Sequence, residues 1–271
     1  MFNSTGIKKN WRMQLFFTFI LVGCMSCGQN YGDIQFDPDN GGIQLADGFS
    51  AFVVADSLGR ARHIAVNTNG DIYVALRSTR NEQGGIVALR DTTGDGRADI
   101  IERFGEYGGT GIGIHNGYLY FAPDTAVYRY RLTEGELVPE NPPETVVSGF
   151  LRQRQHAVKP FAFDGEGNMY VNVGAPSNAC QEKMRRPGSP GLDPCPHLGR
   201  HAGIWRFSDD KLNQTQVDDG YRYASGIRNS VAIDWNPVSK KLYVVQHGRD
   251  QLEGLWPELF NDSLNAELPS E

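Results

Sequence analysis

The sequence has no excess of positive charge: 26 Lys and Arg stand against 32 Asp and Glu, a formal charge of −6. That excludes a nucleic-acid partner, because phosphate backbones are held by Lys and Arg. Only a local basic site is left to bind an anionic ligand. Long apolar runs are lacking too. The stretch from Leu15 to Val22, LFFTFILV, is too short to span a bilayer with ease. Cysteine is scarce, with four in 271 residues. Cys180 and Cys195 have neither a CxxC partner nor a histidine at ligand spacing, which weighs against a metal site there. Long amphipathic helical faces are also missing. What is there instead is glycine, tyrosine and phenylalanine, at 32, 11 and 14 residues, a balance that leans to strands and tight turns. The length allows one large or two small domains, and 39% hydrophobic residues is enough for a real core.

The first residues read as a targeting segment rather than as fold. Lys8, Lys9 and Arg12 make a positive start, the apolar stretch follows, and Leu21-Val22-Gly23-Cys24 has the form of a bacterial lipobox. Residues 1–23 are then a lipoprotein signal peptide and Cys24 the lipidated N-terminus. An ordinary signal peptide cut after Ser26 or Cys27 is the competing reading. The polar run from Gly28 to Asn40 argues against a transmembrane anchor. Residues 24–45 read as a flexible tether and 46–271 as the folded domain. Loss of residues 1–23 removes three basic residues and no acidic one, which takes the formal charge from −6 to −9. The expected location is an exported lipoprotein on a membrane surface, in the periplasm or at the cell exterior. In such an oxidising compartment Cys180 and Cys195 are the natural disulfide pair. The bridge closes a 16-residue loop, worth about 3 kcal/mol on a chain-entropy argument.

The strongest internal signal is a repeat. HIAVNTNGDIYVAL (63–76), GIGIHNGYLYFAP (111–123), FAFDGEGNMYVNVG (161–174) and VAIDWNPVSKKLYVVQHG (231–248) share one pattern of alternating apolar residues, turn and apolar-Tyr-apolar strand. Tyr73, Tyr120, Tyr170 and Tyr243 follow at spacings of 47, 50 and 73. The first three turns, Asn69-Gly70, Asn116-Gly117 and Glu166-Gly167-Asn168, supply residues that tolerate the positive φ that hairpins require. Units of this length, each of several short antiparallel strands, predict an all-β fold: a β-propeller of four-stranded antiparallel blades, with about four blades present. A β-sandwich would account for the strands but not for the repeated hairpin. The long third spacing predicts an irregular loop between Asn178 and Gly203, on one face.

From about Gly48 onward the wording resembles the pyrroloquinoline-quinone (PQQ) dependent sugar dehydrogenases, in their sorbosone dehydrogenase-like and soluble aldose dehydrogenase-like branches. The resemblance rests on GFSAFVVADSLGRARHIAVNTNGDIYVALR, QHAVKPFAFDGEGNMYVNVGAPSNAC, YASGIRNSVAIDWNP and YVVQHGRDQL, in that order. It implies a six-bladed propeller, so by period roughly 100 residues and the last blades are expected beyond this sequence. It implies PQQ on one end of the propeller with Ca²⁺ beside it. His156 falls where the family has its general base, which takes the proton of a substrate hydroxyl. Arg228 falls where the family has the arginine that meets the quinone oxygen, and Asn229 where it has a cofactor contact. Asn178 and Lys159 are weaker candidates for contact with cofactor or substrate, and Lys159 reads equally as a solvated residue. Gly248 and Arg249 match the segment whose backbone carbonyls bind the cofactor-side Ca²⁺.

A separate signal stands in residues 91–102, where Asp91, Thr93, Asp95, Arg97, Asp99 and Glu102 fall at positions 1, 3, 5, 7, 9 and 12 of a Ca²⁺-loop spacing, with Gly96 at position 6. A polar hairpin turn is the alternative there. The implied activity is oxidation of a sugar or related alcohol or aldose, with hydride transfer to PQQ and electrons passed to a cytochrome or quinone. A non-catalytic propeller that binds a glycan or protein, and a gluconolactonase-like hydrolase, are the alternatives. Lipidation has its own test. Cys24→Ser is expected to abolish incorporation of a labelled fatty acid in the producing cell and to release the protein from the membrane fraction. Label retained by Cys24→Ser would contradict the lipobox reading.

Overall fold

The computed structural model describes residues 34–260. The signal-peptide and lipidation readings, including Cys24 and Cys27, lie outside the described residues. The repeated hairpins read from the sequence are all present, each as the first two strands of a sheet. β1 (Ala61–Val66), β2 (Ile72–Leu76), β3 (Gly85–Arg90) and β4 (Ile100–Phe104) form a four-stranded sheet in sequence order. β5 (Gly109–His115), β6 (Tyr118–Pro123), β7 (Val127–Arg131) and β8 (Glu144–Ser148) form the second. The third is β9 (Phe161–Phe163), β10 (Asn168–Val173), β11 (Gly203–Ser208) and β13 (Tyr221–Ser225). The short β12 (Gln214–Thr215) crosses back to pair in parallel with β8, stitching the third blade to the second. The fourth unit, among the described residues, is the hairpin of β14 (Ser230–Asn236) and β15 (Lys241–Gln246). The first strand of each unit is the innermost: β1 lies against β5, β5 against β9, and β9 against β14. This is the up-and-down blade order of a β-propeller.

Alternation along each second strand explains how the blades stack. In β6, Leu119 and Phe121 face back to the first blade, where they meet Tyr73, Ala75, Ile86 and Ala88. Tyr120 and Ala122, on the opposite face, pack forward on Phe161, Met169, Val171 and Trp205 of the third. The repeated tyrosine does one job twice. The Tyr73 hydroxyl donates to the Leu137 carbonyl of the next blade at 3.0 Å, and the Tyr120 hydroxyl donates to the Asp209 carbonyl of its next blade at 2.9 Å. A buried phenol needs a partner, and here the partner fixes the spacing between blades. Tyr170 differs, donating to Asp164 within its own blade and stacking on Trp235 of β14 at 5.8 Å.

The other face of the first blade, Val74, Leu76, Val87 and Leu89, is covered by Ala55, Leu58 and Ala98. Residues 34–45, read as the end of a tether, make contacts with this cover. The Val53 N–H donates to Asp37 at 2.7 Å, and the Asp37 carboxylate pairs with Arg97 at 2.5 Å. Tyr243 and Val245 of the fourth unit stay exposed. Among the described residues no helix is long and apolar enough to cross a membrane. The interblade core predicts a steep penalty for truncation. Phe121→Ala removes a side chain that is 1% exposed and is expected to cost about 3–5 kcal/mol. Val238→Ala, at 93% exposure, is expected to stay within about 0.5 kcal/mol. Urea unfolding followed by circular dichroism checks both.

Candidate functional site

Four loops meet at one end of the propeller, where the innermost strands begin and the second strands finish. They are the loop before β9, the long loop after β10, the turn before β14 and the segment after β15. His156 stands in the first with φ 51°, a left-handed conformation that is strained for a residue with a Cβ. The strain is held in place by Gln153, whose amide donates to the carbonyls of Gln155, His156 and Gly174 at 2.8, 2.9 and 3.0 Å. Gly174 has no room for a side chain, since a Cβ there would lie 2.6 Å from the His156 Cβ. His156 Nδ1 is 2.6 Å from the Ala175 carbonyl. A carbonyl only accepts, so Nδ1 carries the proton and Nε2 keeps the lone pair.

Ala175 links His156 to Arg228: its N–H donates to the Arg228 carbonyl at 2.7 Å. The Arg228 guanidinium is tied on three sides. Nε and Nη2 donate to the Asn178 carbonyl at 3.0 Å and to Asn178 Oδ1 at 2.8 Å, and Nη1 donates to the His247 carbonyl at 3.1 Å. The Arg228 N–H donates to Gln246 Oε1 at 2.8 Å. Asn178 is 2% exposed and returns a bond to the Asp250 carbonyl at 2.7 Å. Asp250 pairs with Arg185 at 3.0 Å and approaches Arg228 at 3.5 Å. Asn178, Arg228, Gly248 and Arg249 line a cavity of about 220 Å³. Arg185 and Arg228 share Asp250, and Arg228 and Arg249 line the cavity of an otherwise acidic chain. Asn229 is 7% exposed, and its Oδ1 is buried without a protein partner. Asn172 and Ser230 carry similar orphaned polar atoms.

A comparison with curated proteins finds no match. Residues 43–270 match the sequence profile of the TrAA12-like family. The chain belongs to the TrAA12-like family. The resemblance to PQQ-dependent sugar dehydrogenases read from the sequence agrees with that membership. Among solved structures, the holo PQQ domain of pyranose dehydrogenase from Coprinopsis cinerea is similar at 17% identity and a TM-score of 0.63, over 82% of this chain and 51% of that one. The calcium structure of the family AA12 carbohydrate-active enzyme from Trichoderma reesei is similar at 17% identity and a TM-score of 0.58, over 76% of this chain and 50% of that one. At these identities the likeness establishes the fold. The chain spans about half the length of the structures it matches.

The remaining sequence candidates lie elsewhere in this TrAA12-like chain. Lys159 is fully buried, donates to the Ala157 carbonyl at 2.5 Å and does not line the cavity. Burial pulls its ammonium down to about 8 against the attraction of Asp124. The 91–102 loop joins β3 to β4, at the opposite end of the propeller. Asp91 accepts N–H groups from Thr93, Gly94 and Gly96, and Asp99 accepts from Thr92. Asp95 accepts the Arg97 N–H, the Arg97 side chain reaches Val53 and Asp37, and Glu102 lies in β4 opposite Ala88. Among the described residues the loop carboxylates form no group of three within metal-ligand reach; Cys180, Cys195 and His197 do.

The Cys180–Cys195 disulfide is formed, with Cα atoms 6.1 Å apart, and both residues line the cavity beside Arg228. Sequence reading found no histidine at ligand spacing, but His197 stands two residues past Cys195 and shares the cavity wall. Arg185 was missed because its partner Asp250 is 65 residues away.

The environment of His156 fixes the sign of its titration. Burial lowers its pKa below the ordinary 6.5, the Ala175 carbonyl pulls it back up, and the neighbouring charge of Arg228 lowers it again. The net shift is downward, so the imidazole is neutral at pH 7 and able to accept a proton. An NMR titration of the cofactor-free protein is expected to place the His156 midpoint below 6.5, and to move it upward in Arg228→Ala. A midpoint above 7 would contradict this electrostatic picture.

Proposed function

We propose that the protein is a PQQ-dependent oxidoreductase that oxidises a sugar or a related alcohol or aldose. The observation that carries the reading is the coupling of a neutral, half-buried imidazole, through Ala175, to a fixed arginine that lines the cavity. The residues suit the cofactor's chemistry. PQQ is a planar quinone with three carboxylates, and Arg228 and Arg249 bring planar, permanently charged donors to the cavity wall. Asn178 is held rigid beside them, and Asn229 has a buried acceptor unused by the protein. Gly248 and Arg249 lie on the same wall, where backbone carbonyls could complete a Ca²⁺ shell. Family membership and the likeness to the holo PQQ domain of pyranose dehydrogenase support the same reading.

When bound, the quinone supplies the acceptor for a hydride from the substrate carbon. The chain supplies the rest. His156 Nε2 takes the hydroxyl proton, and the bond from Nδ1 to the Ala175 carbonyl holds the ring's tautomer and stabilises the imidazolium that results. Arg228 directs donors and charge toward the oxygen that becomes negative. Gln153 keeps the base loop in its strained form, so little reorganisation is needed in the reaction. Electrons then pass to a cytochrome or quinone acceptor. Lipidation at Cys24 would place the protein on a membrane facing the periplasm or the cell exterior.

Calorimetric titration of PQQ into the full chain in the presence of Ca²⁺ tests the assignment. Saturable binding is expected, weaker without Ca²⁺ and at least tenfold weaker in Arg228→Ala, which corresponds to about 1.4 kcal/mol. Absence of PQQ binding, or unchanged affinity in Arg228→Ala, would overturn it.

A further inference from the structure

One donor cluster has no part in the proposed oxidation. Cys180, Cys195 and His197 each offer a ligand atom within 4.8 Å of the other two, and all three are half-buried in the wall of the 220 Å³ cavity. Oxidised, the two sulfurs are joined and hold no metal. We infer that reduction of this disulfide creates a Cys-Cys-His site for a borderline or soft cation of the Zn²⁺ class, with its open coordination position facing the cavity.

The chemistry fits that class. Thiolates and imidazole select zinc and its neighbours over Ca²⁺ or Mg²⁺. With Zn–S near 2.3 Å and tetrahedral angles, the two sulfurs need to part to only about 3.8 Å. The Cα atoms, 6.1 Å apart, leave side-chain rotation to provide that. Arg228 and Arg249 line the same cavity and favour the thiolate form of nearby thiols. Three protein ligands leave the fourth position for water or a small anion.

The site also survives loss of the bridge, because the loop is held by other bonds. The Leu192 N–H donates to the Cys180 carbonyl at 2.8 Å, and the Glu182 N–H to the Pro190 carbonyl at 3.0 Å. The Gln181 amide donates to the Arg186 carbonyl while its oxygen accepts the Arg185 N–H, both at 3.0 Å. The Lys183 N–H donates to Ser189 Oγ at 3.0 Å. His197 is fixed by the turn Pro196–Gly199 and by the bond from the His201 N–H to its carbonyl, 2.9 Å. Reduction therefore releases two thiols that remain opposite each other and beside the imidazole.

The steps balance. A dithiol reductant attacks one sulfur as thiolate, breaks the S–S bond and forms a mixed disulfide. Its second thiol then displaces the protein, leaving an oxidised reductant and a protein that has gained two electrons and two protons as Cys180 and Cys195 thiols. Metal binding returns those two protons to solvent.

Co²⁺ alone is a suitable probe, because tetrahedral thiolate coordination gives intense visible and near-ultraviolet bands. The full chain is reduced with dithiothreitol, freed of it without oxygen, and titrated. A single ion per chain is expected, with thiolate charge-transfer bands absent from the oxidised protein. Binding is expected to weaken at least tenfold in His197→Ala, which retains the disulfide and its loop, and to disappear in Cys195→Ser. No thiolate bands in the reduced wild type, or undiminished affinity in His197→Ala, would overturn the inference. The titration contains no PQQ, so its failure leaves the quinone reading standing, and failure of PQQ binding leaves this site standing.

Discussion

Arg228 is the point on which the functional end of the molecule depends. Its guanidinium is bound by the loop after β10 through Asn178 and by the segment after β15 through His247, while its own carbonyl accepts from Ala175 beside His156. One side chain thus ties the third and fourth units together and adds to the burial that lowers the His156 pKa. Partial burial strengthens these bonds, because charge–dipole interactions gain as solvent is withdrawn. It also makes the arrangement costly to break, since a buried guanidinium without partners is far worse than none. Asp250 offsets part of the charge of Arg185 and Arg228. Arginines gathered on an acidic protein suit an anionic ligand, which the rest of the surface repels.

The propeller supplies the rigid frame for that corner. Consecutive blades are keyed by tyrosine hydroxyls and by interlocking faces of the second strands, so the loops at the strand ends inherit fixed positions. Local costs are concentrated where the chemistry would be. His156 is held at positive φ, Gly174 admits no side chain, and Asn172, Asn229 and Ser230 bury polar atoms without protein partners. None of these features helps the fold. They mark a site whose geometry is over-determined by its neighbours, as expected of a pre-organised centre.

Much of the fold was legible in the sequence, because strand alternation and Asn-Gly turns are local signals. The four hairpins fall where the repeat predicts, and the disulfide pairs as expected. The tyrosine spacing marked the blades but not its cause, since the acceptors Leu137 and Asp209 are 64 and 89 residues distant. Of the site, His156, Asn178, Arg228, Gly248 and Arg249 were named through resemblance and are gathered at one end by the topology. The brace between Arg185 and Asp250 and the place of His197 were not legible, because they depend on how a Pro- and Gly-rich loop folds back. Lys159 shows the opposite limit. It follows His156 by three residues, yet the chain turns into the blade and buries it away from the cavity. Residues 91–102, read as a separate loop signal, sit at the far end, with Asp91, Asp95 and Asp99 accepting the loop's own N–H groups.

The central claim is that His156 acts as the base beside a quinone positioned by Arg228. The most direct measurement is a single-turnover experiment with the PQQ- and Ca²⁺-loaded protein, mixing it with an aldose and following the quinone absorbance. The account predicts that the wild type reduces its quinone, whereas His156→Gln takes up PQQ with similar affinity and reduces it at least a hundredfold more slowly, in line with the usual contribution of a general base of about 10²–10⁴-fold. Reduction at an undiminished rate in His156→Gln would contradict it.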